Sequence, residues 1–260
     1  MNTIGNGGNL NGLSFLKAQN AQQKNAAGVA KSLEKLATGS RINRGADDPA
    51  GLITSENLRA VLSALDAETR TLERADLVAA TADGALTEVS DLLNQAESLV
   101  VANANGAGLS DEERQANQME IDSIVGTINR ISGTTSFNGD TLLDGTASLS
   151  AAGQTIDLDS VSLAPIGEGA DAQAALSAAR DKVTTLRGKL GSFSKDTVGA
   201  NLRRIGVEME NIAAAESKIR DTDYGQETAN LARTQVLQRA GIMAMGLVTQ
   251  SQSNVLDLLG

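Results

Sequence analysis

The feature that most restricts this chain is a run of apolar residues stepping by fours and threes: Leu58, Leu62, Leu65, Thr69, Leu72, Ala75, Ala79, Ala82, Leu86, Val89, Leu93, Ala96 and Val100. Such spacing keeps one narrow seam on one side of a helix, the pattern of a coiled-coil partner. Continuous from Pro49 to Ala102, it makes a rod on the order of 75 to 80 Å long at about 1.5 Å per residue. A single globular domain rarely contains a helix of that length.

A second seam follows the middle of the chain. Leu176, Ala179, Val183, Leu186, Leu190 and Phe193 keep the same spacing, which slips by one position near Lys195 to Thr197 and resumes with Val198, Leu202, Ile205, Met209, Ile212 and Ile219. Only 2% of the residues are aromatic and Trp is absent, so burial has to come from aliphatic stripes between long helices. Gly188, Gly191, Gly199 and Gly206 fall within this second rod. Each costs roughly 1 kcal/mol relative to Ala there, and each fits either close helix packing or small subunit adjustments.

Breaks between the helices are equally legible. A first helix is predicted over Leu10–Thr38, preceded by a flexible Gly/Asn-rich start and stopping at Gly39. Asp48 and Pro49 supply an N-cap and a first helical residue for the long rod. Asn105, Gly106 and Gly108 end it, and Ser110 with Glu113 forms a capping box for a shorter helix carrying Ile121, Ile124, Ile128 and Ile131. Between Ser132 and Gly169, the pairs Asn138-Gly139, Asp144-Gly145 and Ala152-Gly153 separate short β-prone pieces, with Thr146–Ser150 and Gln154–Leu158 as candidate hairpin strands. After a break at Asp221 to Gly225, a last helix places Ala229, Ala232, Val236, Ala240, Met243 and Leu247 on one stripe. The expected fold is mainly α: long antiparallel helical rods in a coiled-coil bundle, a small central β-hairpin, and terminal helices that pair on assembly. Periodicity alone leaves open whether these seams serve an ordinary bundle core or a polymer.

Chemistry is limited by what is missing. The chain has no His and no Cys, which removes the commonest general base, thiolate metal sites and disulfides. No catalytic residue, metal or cofactor is expected, and Asp47, Asp48, Asp221 and Asp223 read as caps and turn residues, without EF-hand spacing. Arg41 and Arg44 beside Asp47 and Asp48 are either solvated charges or an ion-pair cluster fixing the turn. A formal charge of -10 opposes a phosphate-tracking surface, so nucleic acid is not an expected partner. The opening residues lack the basic and apolar regions of a Sec-type signal peptide, and no stretch has the roughly 18 to 20 apolar residues of a membrane span.

Three stretches carry a family resemblance. Leu33-Glu-Lys-Leu-Ala-Thr-Gly-Ser-Arg-Ile-Asn-Arg-Gly-Ala-Asp-Asp-Pro-Ala-Gly51 resembles the flagellin turn between the first terminal helix and the rod. Ala82-Asp-Gly-Ala-Leu-Thr-Glu-Val, with Ile131-Ser-Gly-Thr-Thr-Ser-Phe-Asn-Gly139 and Leu142-Leu-Asp-Gly145, is similar to the rod and the opening of its hairpin. Ser217-Lys-Ile-Arg-Asp-Thr-Asp-Tyr224, Thr234-Gln-Val-Leu-Gln-Arg-Ala-Gly241 and Asn254-Val-Leu-Asp-Leu-Leu259 resemble the carboxy end.

The resemblance implies a structural subunit that polymerises into the bacterial flagellar filament and supports motility; the alternative is a hook-filament junction protein of the same superfamily. It implies inner-tube segments at 1–45 and 221–260 around a rod domain at 46–220, with a hairpin at about 132–169 and no large outer domain. The implied assembly interface comprises Leu13, Leu16, Leu33, Leu36, Val236, Met243, Leu247, Val255 and Leu258. Implied partners are other copies of the chain in a helical homopolymer, an export chaperone, and filament cap or hook-associated proteins. The implied location is the extracellular filament, reached without a cleaved signal and without membrane insertion. An innate-immune receptor recognises some flagellins through an Arg, a Leu and a Glu, matched here by Gln95, Leu99 and Glu120. With Gln in place of Arg, the resemblance implies weak or absent signalling by the monomer in a receptor reporter assay.

Overall fold

The computed structural model describes residues 5–105, 108–167 and 169–259, with the side chains of 5–12, 14, 248 and 251–259 outside the description. Six helices appear among these residues: α1 (Gly5–Thr38), α2 (Pro49–Ala104), α3 (Asp111–Thr134), α4 (Ala170–Ser192), α5 (Gly199–Arg220) and α6 (Tyr224–Leu259). Two small antiparallel hairpins lie between α3 and α4, β1 (Ser136–Phe137) with β2 (Asp140–Thr141), and β3 (Ser148–Ala151) with β4 (Gln154–Asp157). No described helix is long and apolar enough to cross a membrane. The chain divides into two compact units, 1–62 with 211–260, and 63–210.

The unit formed by 63–210 is organised by the two seams. From Leu72 to Val100 every seam residue of α2 is buried, and Leu176, Ala179, Val183, Leu186, Leu190 and Phe193 are buried opposite them. Ion pairs fix the direction: Glu68 binds Arg204, Asp83 binds Arg187 and Glu97 binds Arg180, so the partners run antiparallel. α3 lies against α2 through Asn117, which donates to Asn103 at 2.8 Å. It contributes Ile121, Ile124, Val125 and Ile128 to the core, while Ile131 is only half-buried. The capping box at its start is complete, with Ser110 and Glu113 each accepting from the other's backbone N–H.

The one-position slip has a structural counterpart. Between α4 and α5 the backbone forms a π-helical segment, Phe193–Val198, which keeps both Phe193 and Val198 buried although they are five positions apart. The extra residue is absorbed locally and the seam resumes in phase. Gly188, Gly191 and Gly206 would meet nothing within 4 Å if they carried a Cβ, so they do not serve close packing within this chain.

The hairpins follow their turn chemistry. Asn138-Gly139 and Ala152-Gly153 each have positive φ at both positions, the backbone of a type I′ turn. The third strand starts at Ser148, two residues later than the alternation predicts. Asp144 is the cause, because its carboxylate accepts from the Thr146 N–H at 2.9 Å and from the Thr146 hydroxyl at 2.7 Å, holding that residue in the preceding turn. The Thr141 hydroxyl also donates to it, and together these bonds hold the carboxyl at a pKa of about 2. Gly145, at φ +89°, sits where a Cβ would come within 3.0 Å of Ser160, so any side chain there would be strained and crowded.

Candidate assembly interface

The unit built from 1–62 and 211–260 centres on α1 packed against α6. α1 begins at Gly5, earlier than expected, so the Gly/Asn-rich opening continues the helix; once a helix is nucleated, each further residue adds a hydrogen bond. Contacts between the two helices run in opposite directions along the chain: Lys35 pairs with Glu227 at 3.6 Å, Gly28 faces Thr234, and Gln22 faces Gly241. The pair is therefore antiparallel. The pair is seen here within one chain.

Burial shows which sides meet. On α6 the residues partly withdrawn from solvent include Glu227, Leu231, Thr234, Gln238, Gly241 and Met245, a regular heptad seam, with Asn230 and Gln235 beside it; on α1 they include Ala18, Gln22, Asn25, Val29 and Ser32. This interior is mostly polar or small, and the buried Oε1 of Gln22 has no hydrogen-bond partner among the described residues. The apolar stripe read from the sequence lies elsewhere. Ala229, Ala232, Val236, Ala240, Met243 and Leu247 are all exposed, as are Leu13, Leu16, Ala27, Ala30, Leu33 and Ala37. Val236, Met243 and Leu247 are 65%, 70% and 70% exposed, and Leu13, Leu16 and Leu33 are 52%, 55% and 50% exposed. Leu36 is half-buried. The side chains of Val255 and Leu258 lie outside the described residues. Sequence periodicity located the stripes; the inward-facing polar seam was missed, although its spacing of fours and threes along α6 could have found it.

The base of the pair is tied by backbone as well as side chains. Ser40 and Asp221 form an antiparallel bridge, the Arg41 N–H donates to the Arg220 carbonyl at 2.6 Å, and the Arg41 guanidinium donates to the Ile219 carbonyl at 2.7 Å. Gly39 adopts φ +70°, and a Cβ there would stand 2.9 Å from the Tyr224 hydroxyl, so glycine answers both demands. Asp48 caps α2 through the Gly51 N–H at 2.9 Å, and Asp223 caps α6 through the Gln226 N–H at 3.0 Å. An ion-pair cluster does fix the turn, but with different partners from those the sequence juxtaposes. Asp47 binds Lys31 at 2.7 Å and accepts from the amides of Asn43 and Arg44, while Arg44 reaches Glu34. The Lys31 hydrogen bond, then the Arg44 amide, lower the Asp47 pKa to about 2.

The receptor-equivalent positions lie in the other unit. Gln95 and Glu120 are exposed and Leu99 is half-buried.

Comparison with known proteins accounts for most of the chain. The bacterial flagellin N-terminal helical region matches residues 10–148, and the bacterial flagellin C-terminal helical region matches residues 174–259. A flagellin of Halalkalibacterium halodurans is 31% identical, covering 88% of this chain and 91% of that protein. The flagellar filament 30.7 kDa core protein of Treponema maltophilum is 30% identical over 89% of this chain and 92% of its own length. A flagellin of Bacillus subtilis is 29% identical over 95% and 98% respectively. With matches to both helical regions and relatives aligned nearly end to end, the chain belongs to the bacterial flagellin family.

Proposed function

We propose that this chain is the structural subunit of a flagellar filament and polymerises through α1 and α6. It is a structural protein and not an enzyme. The observation that carries the reading is the pair of exposed apolar stripes at the two ends of the sequence. Burying one such Leu, Val or Met is worth about 1.5 to 3 kcal/mol. Stripes of this extent left in water mark an interaction surface, and within one chain α1 and α6 cover only each other's polar sides. Leu13, Leu16, Leu33, Leu36, Val236, Met243, Leu247, Val255 and Leu258 make the inner contacts of the polymer, with 1–45 and 221–260 as its inner-tube domain and 46–220 as its rod domain.

The filament is extracellular. Reaching it by export without a cleaved signal, with a chaperone covering the α6 stripe beforehand and a cap or hook-associated protein at the growing end, completes the proposal. The names of the related filament core proteins support the filament-subunit reading, and the acidic charge of the chain supports no role on nucleic acid.

Electron microscopy of the purified full-length chain, raised in concentration and seeded with filament fragments, tests the reading. Long filaments are expected. A chain that stays monomeric under every such condition would overturn it, and one that adds only a short cap to existing ends would point instead to the hook-filament junction.

A further inference from the structure

Asn138-Gly139 is one of four Asn-Gly pairs in the sequence, with Asn6-Gly7, Asn11-Gly12 and Asn105-Gly106. In such a pair the unhindered glycine nitrogen can attack the side-chain amide before it. At this position the Gly139 nitrogen gives up its proton and bonds to Cγ of Asn138, while the bond from Cγ to Nδ2 breaks and Nδ2 leaves as ammonia. Water then opens the succinimide ring at either carbonyl, giving aspartate or isoaspartate. Asn138 is exposed and its side chain makes no hydrogen bond with any described residue. Neither burial nor a bonded amide therefore restrains the reaction.

The backbone does. The ring contains Cα, Cβ, Cγ and the carbonyl carbon of Asn138 with the Gly139 nitrogen, so Cβ and that nitrogen have to lie nearly eclipsed about the Cα–C bond. Type I′ and type II′ hairpin turns both open on a residue with positive φ, as Asn138 has at 55°. They differ in the next angle. In type II′ the first central ψ is about −120°, which eclipses the two atoms; in type I′ it is about +30°, which sets them about 150° apart. Gly139 at φ +95° belongs to type I′, since type II′ has negative φ there. The hairpin is fastened outside the turn as well. Phe137 pairs with Asp140 across it, and the Arg74 guanidinium of α2 lies over the Phe137 ring, 5.9 Å from its centre.

We propose that Asn138 is a latent modification site kept closed by its own turn: it deamidates only when the β1–β2 hairpin opens or the turn peptide flips, and the isoaspartate product makes that opening permanent. Isoaspartate places an extra methylene in the main chain, so the two-residue connection from Phe137 to Asp140 cannot re-form. The Ala152-Gly153 turn has positive φ at both positions without a side-chain amide, so this kind of turn does not require Asn. Asn138 enters the left-handed region more readily than Ala does, and it brings this chemistry with it.

Peptide mass spectrometry of the full-length chain, incubated at neutral pH with and without denaturing urea, tests this. In urea, the other three pairs give the rate of an unconstrained Asn-Gly in the same sample. Folded, Asn138 should react at least about ten-fold more slowly than it does in urea, in proportion to the time the hairpin spends open. Asp140→Pro keeps the Asn-Gly pair but removes the N–H that faces Phe137, and should bring the folded rate to within about three-fold of the rate in urea while circular dichroism shows unchanged helix. Asn138→Ala, copied from the Ala152 turn, should abolish the product and leave the helices intact. A native rate at Asn138 equal to its rate in urea overturns the proposal. So does an Asp140→Pro chain that keeps its helices and still reacts at the slow native rate. If Asp140→Pro fails to fold, the folded and urea-unfolded rates of the native chain decide the matter alone.

Discussion

Asp47 illustrates how much a single carboxylate can hold at the residue scale. It accepts from Lys31 and from two backbone amides in the turn that leads from α1 to α2. Its pKa in the folded chain, about 2, lies below the ordinary 3.8. A group with a depressed pKa binds protons more weakly when folded, so its stabilising contribution is complete above the unfolded value and is lost as the pH falls through the folded one. Between roughly pH 4 and pH 2 the turn should therefore loosen, and amide exchange in residues 39–48 should quicken over that window. Asp47→Asn should show the faster exchange already at pH 7 and should flatten the acid response; an unchanged response in that variant would remove Asp47 from the explanation. Asp48 was readable as a cap from Asp-Pro alone, because a cap is local. The partner of Asp47 was not, since Lys31 lies sixteen positions away and only the fold of the turn selects it over the nearer Arg41 and Arg44.

Among the elements, the π-helical segment at Phe193–Val198 has the clearest origin in sequence. A seam advancing by fours and threes cannot absorb one additional residue in a regular α-helix without turning every later side chain by about 100°. The segment takes up that residue so that Val198 and Ile205 return to the core. Deleting exposed Asp196 from the segment should convert it to continuous α-helix, shifting the urea midpoint by no more than about 1 to 2 kcal/mol of stability. Deleting the equally exposed Lys182 from α4 removes a residue where the seam has none to spare, and should cost several kcal/mol or prevent folding. Equal effects of the two deletions in urea titrations would count against this account. The hairpins show the opposite limit of sequence reading: the turns at Asn138-Gly139 and Ala152-Gly153 were legible, whereas the first residue of β3 depended on which groups Asp144 engages.

For the whole molecule, charge is distributed unevenly. The segments 1–62 and 211–260 together contain slightly more Lys and Arg than Asp and Glu, so the acid excess behind the net charge of -10 lies in 63–210. Packing copies side by side brings these acidic segments together, and salt screens repulsion beyond roughly 10 Å at 0.1 M. Added NaCl should therefore lower the concentration needed for polymerisation. Neutralising exposed acids such as Glu112 and Asp181 should weaken that salt dependence, as read by sedimentation of polymer against salt. Salt-independent assembly of the native chain would show that this repulsion is negligible.

The sequence by itself determined the long rods, their slip, the breaks between helices, and the existence of apolar stripes on the terminal helices, because periodicity, caps and turn residues act over a few positions. Only the tertiary structure decided which side of α1 meets which side of α6. Two faces repeat along each of these helices, one polar and one apolar, and helical spacing gives both the same period. The arrangement brings together residues far apart in the chain, Lys35 with Glu227 and Ser40 with Asp221, and no local pattern can specify such contacts.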